Sequence, residues 1–394
     1  MQRSDYLFVT GVIAEFNPLH KGHEYLLKKA GERGPVVCAL SGNFVQRGET
    51  AIAEKRIRTK AALISGADLV LELPVLWSMS TAQNFALGAV SVLGFAGCDR
   101  IMFGSESGNI EELEKTAEIL NSAEYEEKLE ARLKTGITFA SARQYAAEEC
   151  GLKKGILEGA NNNLGIEYIA SAKKLGMNIE FDTVKRIGAA HDSREEAEFV
   201  SASLIREKLL NGDRAFAEKY MPSGIAELFK ESSVSDIKRI ERAVLAVLRT
   251  KSIEELKKLP DLSEGIENKL WGEIKLAESL DELYNGIKVK RYTLARIRRL
   301  VLSAFIGMDN EFFMRPVPFI RVLGMTERGK ELLKERVSAS CVPLITRIAD
   351  IKALDSKAQK VFDTESRATD LFGLSLEKPI PCGLEYTAKI ITER

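Results

Sequence analysis

Two histidines at a short spacing are the residues of this chain best suited to chemistry on phosphate. The 394-residue sequence holds only three histidines, and His20 and His23 both lie in the segment Asn17-Pro18-Leu19-His20-Lys21-Gly22-His23. The segment falls where a first strand gives way to a helix, whose N-terminus offers free N–H groups and a positive dipole end to an anion. Two imidazoles at this spacing can face one side of the first turn and donate hydrogen bonds to phosphate oxygens. Gly22, which has no side chain, leaves space for a nucleotide beside the backbone. The alternative, that both histidines are polar surface or cap residues, is less favoured by the spacing.

A second candidate is a run of positive charge near residue 290. The stretch from Lys288 to Arg299 carries six cations and no acid, namely Lys288, Lys290, Arg291, Arg296, Arg298 and Arg299. On a helix, Arg296 and Arg299 share one face, and Tyr292 lies one turn earlier. Such a face can bind RNA phosphates, with the tyrosine available to stack on a base. A solvated helix face is an equally good interpretation from the residues alone.

The elements that must position His20 and His23 alternate between strand and helix patterns. Apolar runs at 7–14, 36–40, 69–73 and 100–104 predict strands, and the periodicity between them predicts helices at about 21–31, 53–65 and 82–93. Continuous apolar strands in a β-α-β-α order are typical of a parallel sheet covered on both faces. Ligands of such sheets bind beyond the carboxyl ends of the strands, where Asn17, Ser41, Pro74 and Gly104 fall.

The second half of the chain has a different pattern. After Met221-Pro222-Ser223-Gly224 the strand signals nearly vanish, and the periodicity predicts helices over 225–259, 266–283 and 293–306. We therefore predict a domain boundary near residue 220. An α/β domain with a Rossmann-like parallel sheet would occupy residues 1–220, and a mainly helical domain, the candidate for RNA binding, residues 221–394.

The composition excludes several other classes of protein. The apolar fraction of 45%, the charged fraction of 29% and the balance of 57 basic against 57 acidic residues are those of an ordinary globular protein. No apolar run approaches the ~20 residues that span a bilayer, and the N-terminal run, broken at Asn17-Pro18, does not match a signal peptide. We expect a soluble cytoplasmic protein without membrane partners. The five scattered cysteines predict neither a disulfide framework nor a zinc site.

The segment around the two histidines resembles the nucleotidylyltransferase superfamily, whose members carry (H/T)xGH after the first strand. Over a longer span the chain resembles one family of that superfamily, the tRNA(Met) cytidine acetate ligases. The similar segments are, in order, 11–23, 41–49 with Lys55, Arg58, Thr59 and Lys60, 66–74, 103–106, Asn161-Asn162, Arg186-Ile187 with His191-Asp192, and 201–206. The resemblance covers most of residues 7–210, is weaker around 290–299, and implies a HIGH-type Rossmann-like catalytic domain.

The resemblance also implies an ATP pocket and its residues. It assigns a continuous stretch to the nucleotide, with His20 and His23 on the phosphates: Ile13, Ala14, Glu15, Phe16, Asn17, Pro18, Leu19, His20, Lys21, Gly22 and His23. Further nucleotide contacts would come from Gly104, Asn162, Arg186 and Ile187, with Asn161 and Asn163 as alternatives to Asn162. The segment 201–206 resembles the superfamily's second phosphate motif, in which Ser203 and Arg206 would bind the leaving pyrophosphate. An ordinary N-cap with a solvated arginine is the other interpretation of that segment.

The activity implied by the resemblance is that of an ATP-dependent acetate ligase. Acetate attacks the α-phosphate of ATP to give acetyl-adenylate, and N4 of the wobble cytidine of elongator tRNA(Met) then takes the acetyl group. An adenylate is chemically sensible because a cytosine amine is a poor nucleophile and free acetate a poor acyl donor, so that binding and orientation can supply much of the rest. Mg²⁺ is expected with ATP, and no metal site of the protein's own is predicted.

Two other hypotheses remain open. The chain could be a small-molecule nucleotidylyltransferase that transfers AMP to a phosphorylated metabolite, or a non-catalytic nucleotide- or RNA-binding adaptor on the same fold. A helical region of over 150 residues with a basic stretch favours the ligase over the first. The joint presence of His20, His23, Ser203 and Arg206 favours an enzyme over the second.

Overall fold

The computed structural model of the chain describes residues 8–186, 200–262, 265–289 and 292–393. Its strands within these ranges are β1 Thr10–Ala14, β2 Val36–Ser41, β3 Phe44–Val45, β4 Glu49–Thr50, β5 Leu69–Leu73, β6 Arg100–Ser105, β7 Glu180–Lys185, β8 Ile320–Met325, β9 Leu344–Ile345 and β10 Ile391–Thr392. Its helices there are α1 Lys21–Ala30, α2 Lys55–Ile64, α3 Val75–Ser78, α4 Ala82–Phe95, α5 Ile110–Leu120, α6 Ala123–Leu133, α7 Phe139–Glu149, α8 Ala160–Leu175, α9 Ala202–Leu210, α10 Arg214–Tyr220, α11 Ser223–Glu231, α12 Glu241–Arg249, α13 Ile253–Leu256, α14 Ile266–Ile274, α15 Leu280–Ile287, α16 Leu294–Ile306, α17 Glu327–Glu335, α18 Ile348–Ile351, α19 Ser356–Gly373 and α20 Leu384–Thr387.

A parallel sheet forms the centre of the first half of the chain. Its strands lie in the order β5-β2-β1-β6-β7, and every neighbouring pair is parallel. The apolar runs form strands because both sheet faces are covered, and all six residues of β2 are buried. The α/β Rossmann-like fold predicted from the sequence is therefore confirmed.

Side chains of successive strand residues divide between two layers of core. Val37 and Ala39 of β2 pack with the helix α4 on one face of the sheet. Cys38 and Leu40 pack on the opposite face, together with Leu27 of α1. This alternation places α1, and with it the histidine segment, on a defined face at the carboxyl end of β1.

Strands from the C-terminal region extend the same sheet. The strand β8 pairs antiparallel with β5, and β9 and β10 pair with β8. The sequence had predicted almost no strands after residue 224; the region is mainly helical, but β8 is an addition to that prediction. Strands from both sides of residue 220 belong to one sheet, so residue 220 marks a rise in helical content and not a change from one sheet to another. A domain boundary at this position stays a prediction. None of the helices in the described ranges is sufficiently long and apolar to traverse a bilayer.

A buried group of charges joins the two halves of the chain. The Lys55 ammonium at the start of α2 lies 2.8 Å from Glu365 of α19 and 2.6 Å from Glu385 of α20, and it also contacts Glu72 of β5. Arg321 of β8 pairs with Glu72 at 3.1 Å and with Glu385. Burial opposes the charge of Lys55, but the three carboxylates outweigh it and raise its pKa. Burial raises the pKa of Glu365 to about 7. The raised pKa favours the neutral carboxyl, which offsets the excess of acids over cations in this group.

Replacing Lys55 with Met should destabilise the fold strongly, because it removes the cation that contacts all three buried carboxylates. We expect a loss of about 3–5 kcal/mol in the free energy of unfolding, measured by urea denaturation at pH 7. The matched control is Lys60→Met on the same helix, where the side chain is 43% exposed and its ammonium lies 3.7 Å from Glu393. That variant should lose less than about 1 kcal/mol. Equal losses in the two variants would contradict the structural role of the buried group.

Candidate active site

The loop between β1 and α1 is held by buried polar contacts. The guanidinium of Arg58 is fully buried and donates to the carbonyls of Glu15 at 2.8 Å and Ser41 at 2.9 Å, and also to that of Gly42. Asn17 accepts from the Ile52 N–H at 2.7 Å. The carboxyl ends of β1 and β2 are therefore fixed to each other. The sequence had marked Arg58 only as part of a resemblance, because a carbonyl-binding arginine has no local signature.

The two predicted histidines lie together at the first turn of α1. Their rings stack with centroids 3.8 Å apart and planes 20° apart, and the Phe16 ring meets His23 edge-on at 5.3 Å. His20 is the N-cap residue, and its Nδ1 accepts from the Gly22 N–H at 3.1 Å. The Nδ1 of His23 accepts from the His20 N–H at 3.4 Å. The spacing thus places both imidazoles on one side of the helix start, as predicted.

Both imidazoles are neutral near pH 7. Burial, with the nearby Arg186 cation, lowers the pKa of His20 to about 4. Burial, His20 and Arg186 likewise lower the pKa of His23 well below its ordinary range, and the Pro18 carbonyl only partly opposes this. A neutral ring whose Nδ1 accepts a hydrogen bond carries its proton on Nε2. Each histidine can therefore offer an Nε2–H donor to an anion without adding a titrating charge.

Two arginines from later elements lie beside the histidine segment. Arg186, directly after β7, lies close enough to lower the pKa of both imidazoles. Arg206 of α9 donates to the Asn17 carbonyl at 2.8 Å and to the Ser203 hydroxyl at 3.2 Å. The cap of α9 is Ser201, so the exposed Ser203 hydroxyl does not serve that purpose. The structure thus brings His20, His23, Arg186, Ser203 and Arg206 to one edge of the sheet.

The remaining residues predicted for the nucleotide differ in their surroundings. Gly104 lies at the end of β6, where an added Cβ would lie 3.4 Å from the Arg186 side chain. Asn162 is buried, and its amide is used within the protein: Oδ1 accepts from the N–H groups of Glu106 and Ser107, and Nδ2 donates to the Ile156 carbonyl. It shapes the loop after β6, and its nucleotide contact stays a prediction.

Part of the predicted nucleotide segment after β7 cannot be placed in this structure. Ile187, predicted to contact the nucleotide, and His191-Asp192, which contributed to the resemblance, all lie outside the described residues.

The basic stretch predicted for RNA is partly turned towards the protein. On α16, Arg296 and Arg299 each pair with Asp261 at 3.1 Å, and Arg298 pairs with Glu49. Lys288 is exposed at the end of α15, and Lys290 and Arg291 lie outside the described residues. RNA binding by this stretch therefore stays a prediction, and the sequence did not anticipate the three internal ion pairs.

The strand order and the paired histidines at the start of α1 define a nucleotidyltransferase of the HIGH class. A profile of the family described as HIGH Nucleotidyl Transferase matches residues 7–382. The tRNA(Met) cytidine acetate ligase of Thermoanaerobacter sp. (strain X514) is 38% identical over 97% of this chain and 99% of its own length. That of Clostridium acetobutylicum is 37% identical over 92% of this chain and 96% of its own.

Solved structures give the same result. Thermotoga maritima TmcAL bound with alpha-thio ATP superimposes with a TM-score of 0.88, at 31% identity over 98% of this chain and 99% of that one. Its apo form gives a TM-score of 0.89 with the same identity and coverage. The chain belongs to the tRNA(Met) cytidine acetate ligase family.

The neutral state of the histidines can be measured directly. In histidine-labelled protein, we expect the NMR signals of His20 to titrate with a midpoint near pH 4, and those of His23 to titrate well below the ordinary 6.5 of a histidine. Because the folded pKa of His20 lies below the ordinary 6.5 of the unfolded chain, its contribution to stability is present above about pH 6.5. That contribution is lost as the pH falls to about 4. Midpoints near 6.5 for both rings would contradict a buried, neutral pair.

Proposed function

We propose that this protein is an ATP-dependent acetate ligase that forms acetyl-adenylate and acetylates N4 of the wobble cytidine of elongator tRNA(Met). The observation that carries the proposal is the pair of neutral imidazoles at the N-terminus of α1, flanked by Arg186 and Arg206. Full-length similarity to tRNA(Met) cytidine acetate ligases supports the substrates, and a solved structure with an ATP analogue supports the nucleotide.

The site suits an in-line attack of acetate on the α-phosphorus of ATP. The first turn of α1 contributes a positive dipole end, and the two Nε2–H groups contribute neutral donors. In this proposal His20 and His23 donate to the α-phosphate, where charge develops in the transition state. Arg206 and Ser203 receive the departing pyrophosphate, since they lie together beside the Asn17 carbonyl. Arg186 supplies fixed positive charge close to both imidazoles.

The second step transfers the acetyl group. N4 of cytidine attacks the acetyl carbonyl carbon, the bond from that carbon to the AMP oxygen breaks, and N4 loses one proton. The adenylate is needed because AMP is a far better leaving group than the oxygen of free acetate. Holding both reactants on one site then lowers the barrier by removing the entropy of encounter.

Mg²⁺ is proposed to enter with the triphosphate rather than to occupy a protein site. Among the described residues, the three-acid group that could hold a metal is Glu72, Glu365 and Glu385. That group surrounds the Lys55 ammonium, which already supplies the cation. Mg²⁺ commonly binds phosphate oxygens and water with few protein ligands, which fits a site built from imidazoles and guanidiniums.

A three-way assay tests the proposed function. The protein is incubated with ATP, labelled acetate and bulk tRNA, and pyrophosphate release and label in tRNA are both measured. Acetate-dependent pyrophosphate release with label in tRNA is the expected result. Release only with a phosphorylated metabolite would instead identify a small-molecule nucleotidylyltransferase, and no release under any condition would identify a binding protein.

Replacing His23 with Ala should lower kcat for acetate-dependent pyrophosphate release by about 10²–10³-fold, because one donor to the α-phosphate is removed. ATP affinity should fall much less, since the contact strengthens only in the transition state. The control is Lys28→Ala on the same helix, where the side chain is 68% exposed. Unchanged turnover in the His23 variant would remove this residue from the mechanism.

Replacing Lys288 with Gln should weaken tRNA binding and lower the slope of log affinity against log salt by about 1, because one phosphate contact is lost. Filter binding at several salt concentrations measures both quantities. Lys257→Gln, at a side chain that is 50% exposed and lies outside the basic stretch, is the matched control. An unchanged salt slope in the Lys288 variant would show that this end of the basic stretch does not contact tRNA.

A further inference from the structure

A small hairpin lies between the candidate active site and α16. It consists of β3 and β4 with a turn closed by the Gly48 N–H, which donates to the Val45 carbonyl at 2.9 Å. Gly48 has a φ of +71°, and an added Cβ would lie 2.6 Å from the backbone nitrogen of Arg299. The hairpin tip is therefore packed directly on the first half of α16, and only glycine suits this position.

Glu49 on this hairpin joins two arginines through its two carboxylate oxygens. One oxygen contacts Arg298 of α16, and the other lies 3.8 Å from Arg206, the arginine proposed for pyrophosphate. Arg298 is itself placed over the Tyr284 ring, 5.7 Å from its centroid. The three charged side chains are 17–30% exposed, so solvent screens them less than it screens a surface pair. The resulting order is Arg298, Glu49, Arg206 and then the nucleotide site.

A second contact runs parallel to the first. Arg299 donates to the Gln46 carbonyl at 3.2 Å, and the Gln46 N–H donates to the Glu15 carboxylate at 2.8 Å. Glu15 directly follows β1 and is two residues before Asn17, whose carbonyl accepts from Arg206. Two series of contacts thus connect the start of α16 to the loop between β1 and α1, and both include residues of the hairpin.

We propose that Glu49 is a positioning residue for adenylate formation, which holds the Arg206 guanidinium in place and is itself held by Arg298. One terminal nitrogen of Arg206 donates to the Asn17 carbonyl, and the other contacts both the Ser203 hydroxyl and the Glu49 carboxylate. A guanidinium at the end of a long side chain loses its catalytic value when its position is not fixed, because small displacements cost large factors in rate. This inference rests on the proposed function, and it assigns Arg298 to the ATP step rather than to tRNA.

Glu49→Gln is the primary test, with kcat and ATP affinity measured separately by acetate-dependent pyrophosphate exchange and calorimetry. We expect kcat to fall by about tenfold or more. ATP affinity should stay the same or rise, because a negative charge beside the triphosphate is removed. A loss of fold would lower both quantities, so this division separates positioning from a merely structural role.

Arg298→Gln should lower kcat in the same direction, and the double variant should be no worse than Glu49→Gln alone, since both changes break one chain of contacts. Arg298→Lys should recover part of the rate because it restores a cation beside Glu49. The affinity of the Arg298→Gln variant for tRNA should stay within about twofold of wild type. If Arg298 instead contacted a tRNA phosphate, its loss would weaken binding by more than that at low salt. The control pair is Arg132→Gln and Glu149→Gln, an ion pair between α6 and α7, which should leave kcat unchanged.

A kcat for Glu49→Gln equal to wild type, or an Arg298→Gln variant defective only in tRNA binding, would overturn the inference. A measurement without substrates separates it from the proposed function. In arginine-labelled protein, the NMR signal of the Arg206 side chain should shift and broaden in both variants, with Arg206→Lys used for assignment. If wild-type protein shows no acetate-dependent exchange, the proposed function fails, and an unchanged Arg206 signal would then separately overturn the role of Glu49.

Discussion

In the proposed function, the start of α1 offers hydrogen-bond donors to a phosphate while its own histidines remain uncharged, and the surrounding structure meets that constraint. The Nδ1 atoms of His20 and His23 accept backbone N–H groups at the helix start. Burial and the neighbouring Arg186 keep both rings neutral. In this proposal the imidazoles serve as oriented donors, and the positive charge of the site comes from guanidiniums, which do not titrate in the physiological range. A site of this kind keeps the same charge across neutral pH.

The frame that holds this site draws on the whole chain. Arg58 binds the carbonyls at the ends of β1 and β2, and next to it Lys55 gathers carboxylates from β5, α19 and α20. The last two of these elements, α19 and α20, belong to the final forty residues of the sequence. Arg321 of β8 closes the group. A substitution in α19 or α20 can therefore affect the position of the loop before α1, because buried charges connect the two regions even though they are not in direct contact.

The parallel sheet could be predicted from the sequence because β1, β2, β5 and β6 are continuous apolar runs that follow one another closely. The histidine pair could be predicted because its spacing is local. The strand β8 was not predicted, since Ile320–Met325 is a short apolar run with a buried arginine in a helical context. Periodicity alone does not separate such a run from a helix segment.

The ion pairs of α16 were beyond prediction for a different reason. Arg298 pairs with Glu49, 249 positions earlier, and Arg299 with Asp261, 38 positions earlier. The stretch itself contains six cations and no acid, but in the folded chain Glu49 and Asp261 supply the acids from distant positions. Asn162 is a similar case, because its amide is used by Glu106, Ser107 and Ile156, which the sequence does not place beside it. Residue type and spacing identified the candidate site, and only the fold showed which of its polar groups remain available to a ligand.

The measurement that tests the central claim most directly is a crystal structure of this chain with an ATP analogue that resists cleavage between the α- and β-phosphates. We expect α-phosphate oxygens within about 2.7–3.2 Å of the Nε2 atoms of both His20 and His23, over the first turn of α1. A triphosphate bound elsewhere, or bound there with both imidazoles directed away from it, would contradict the account.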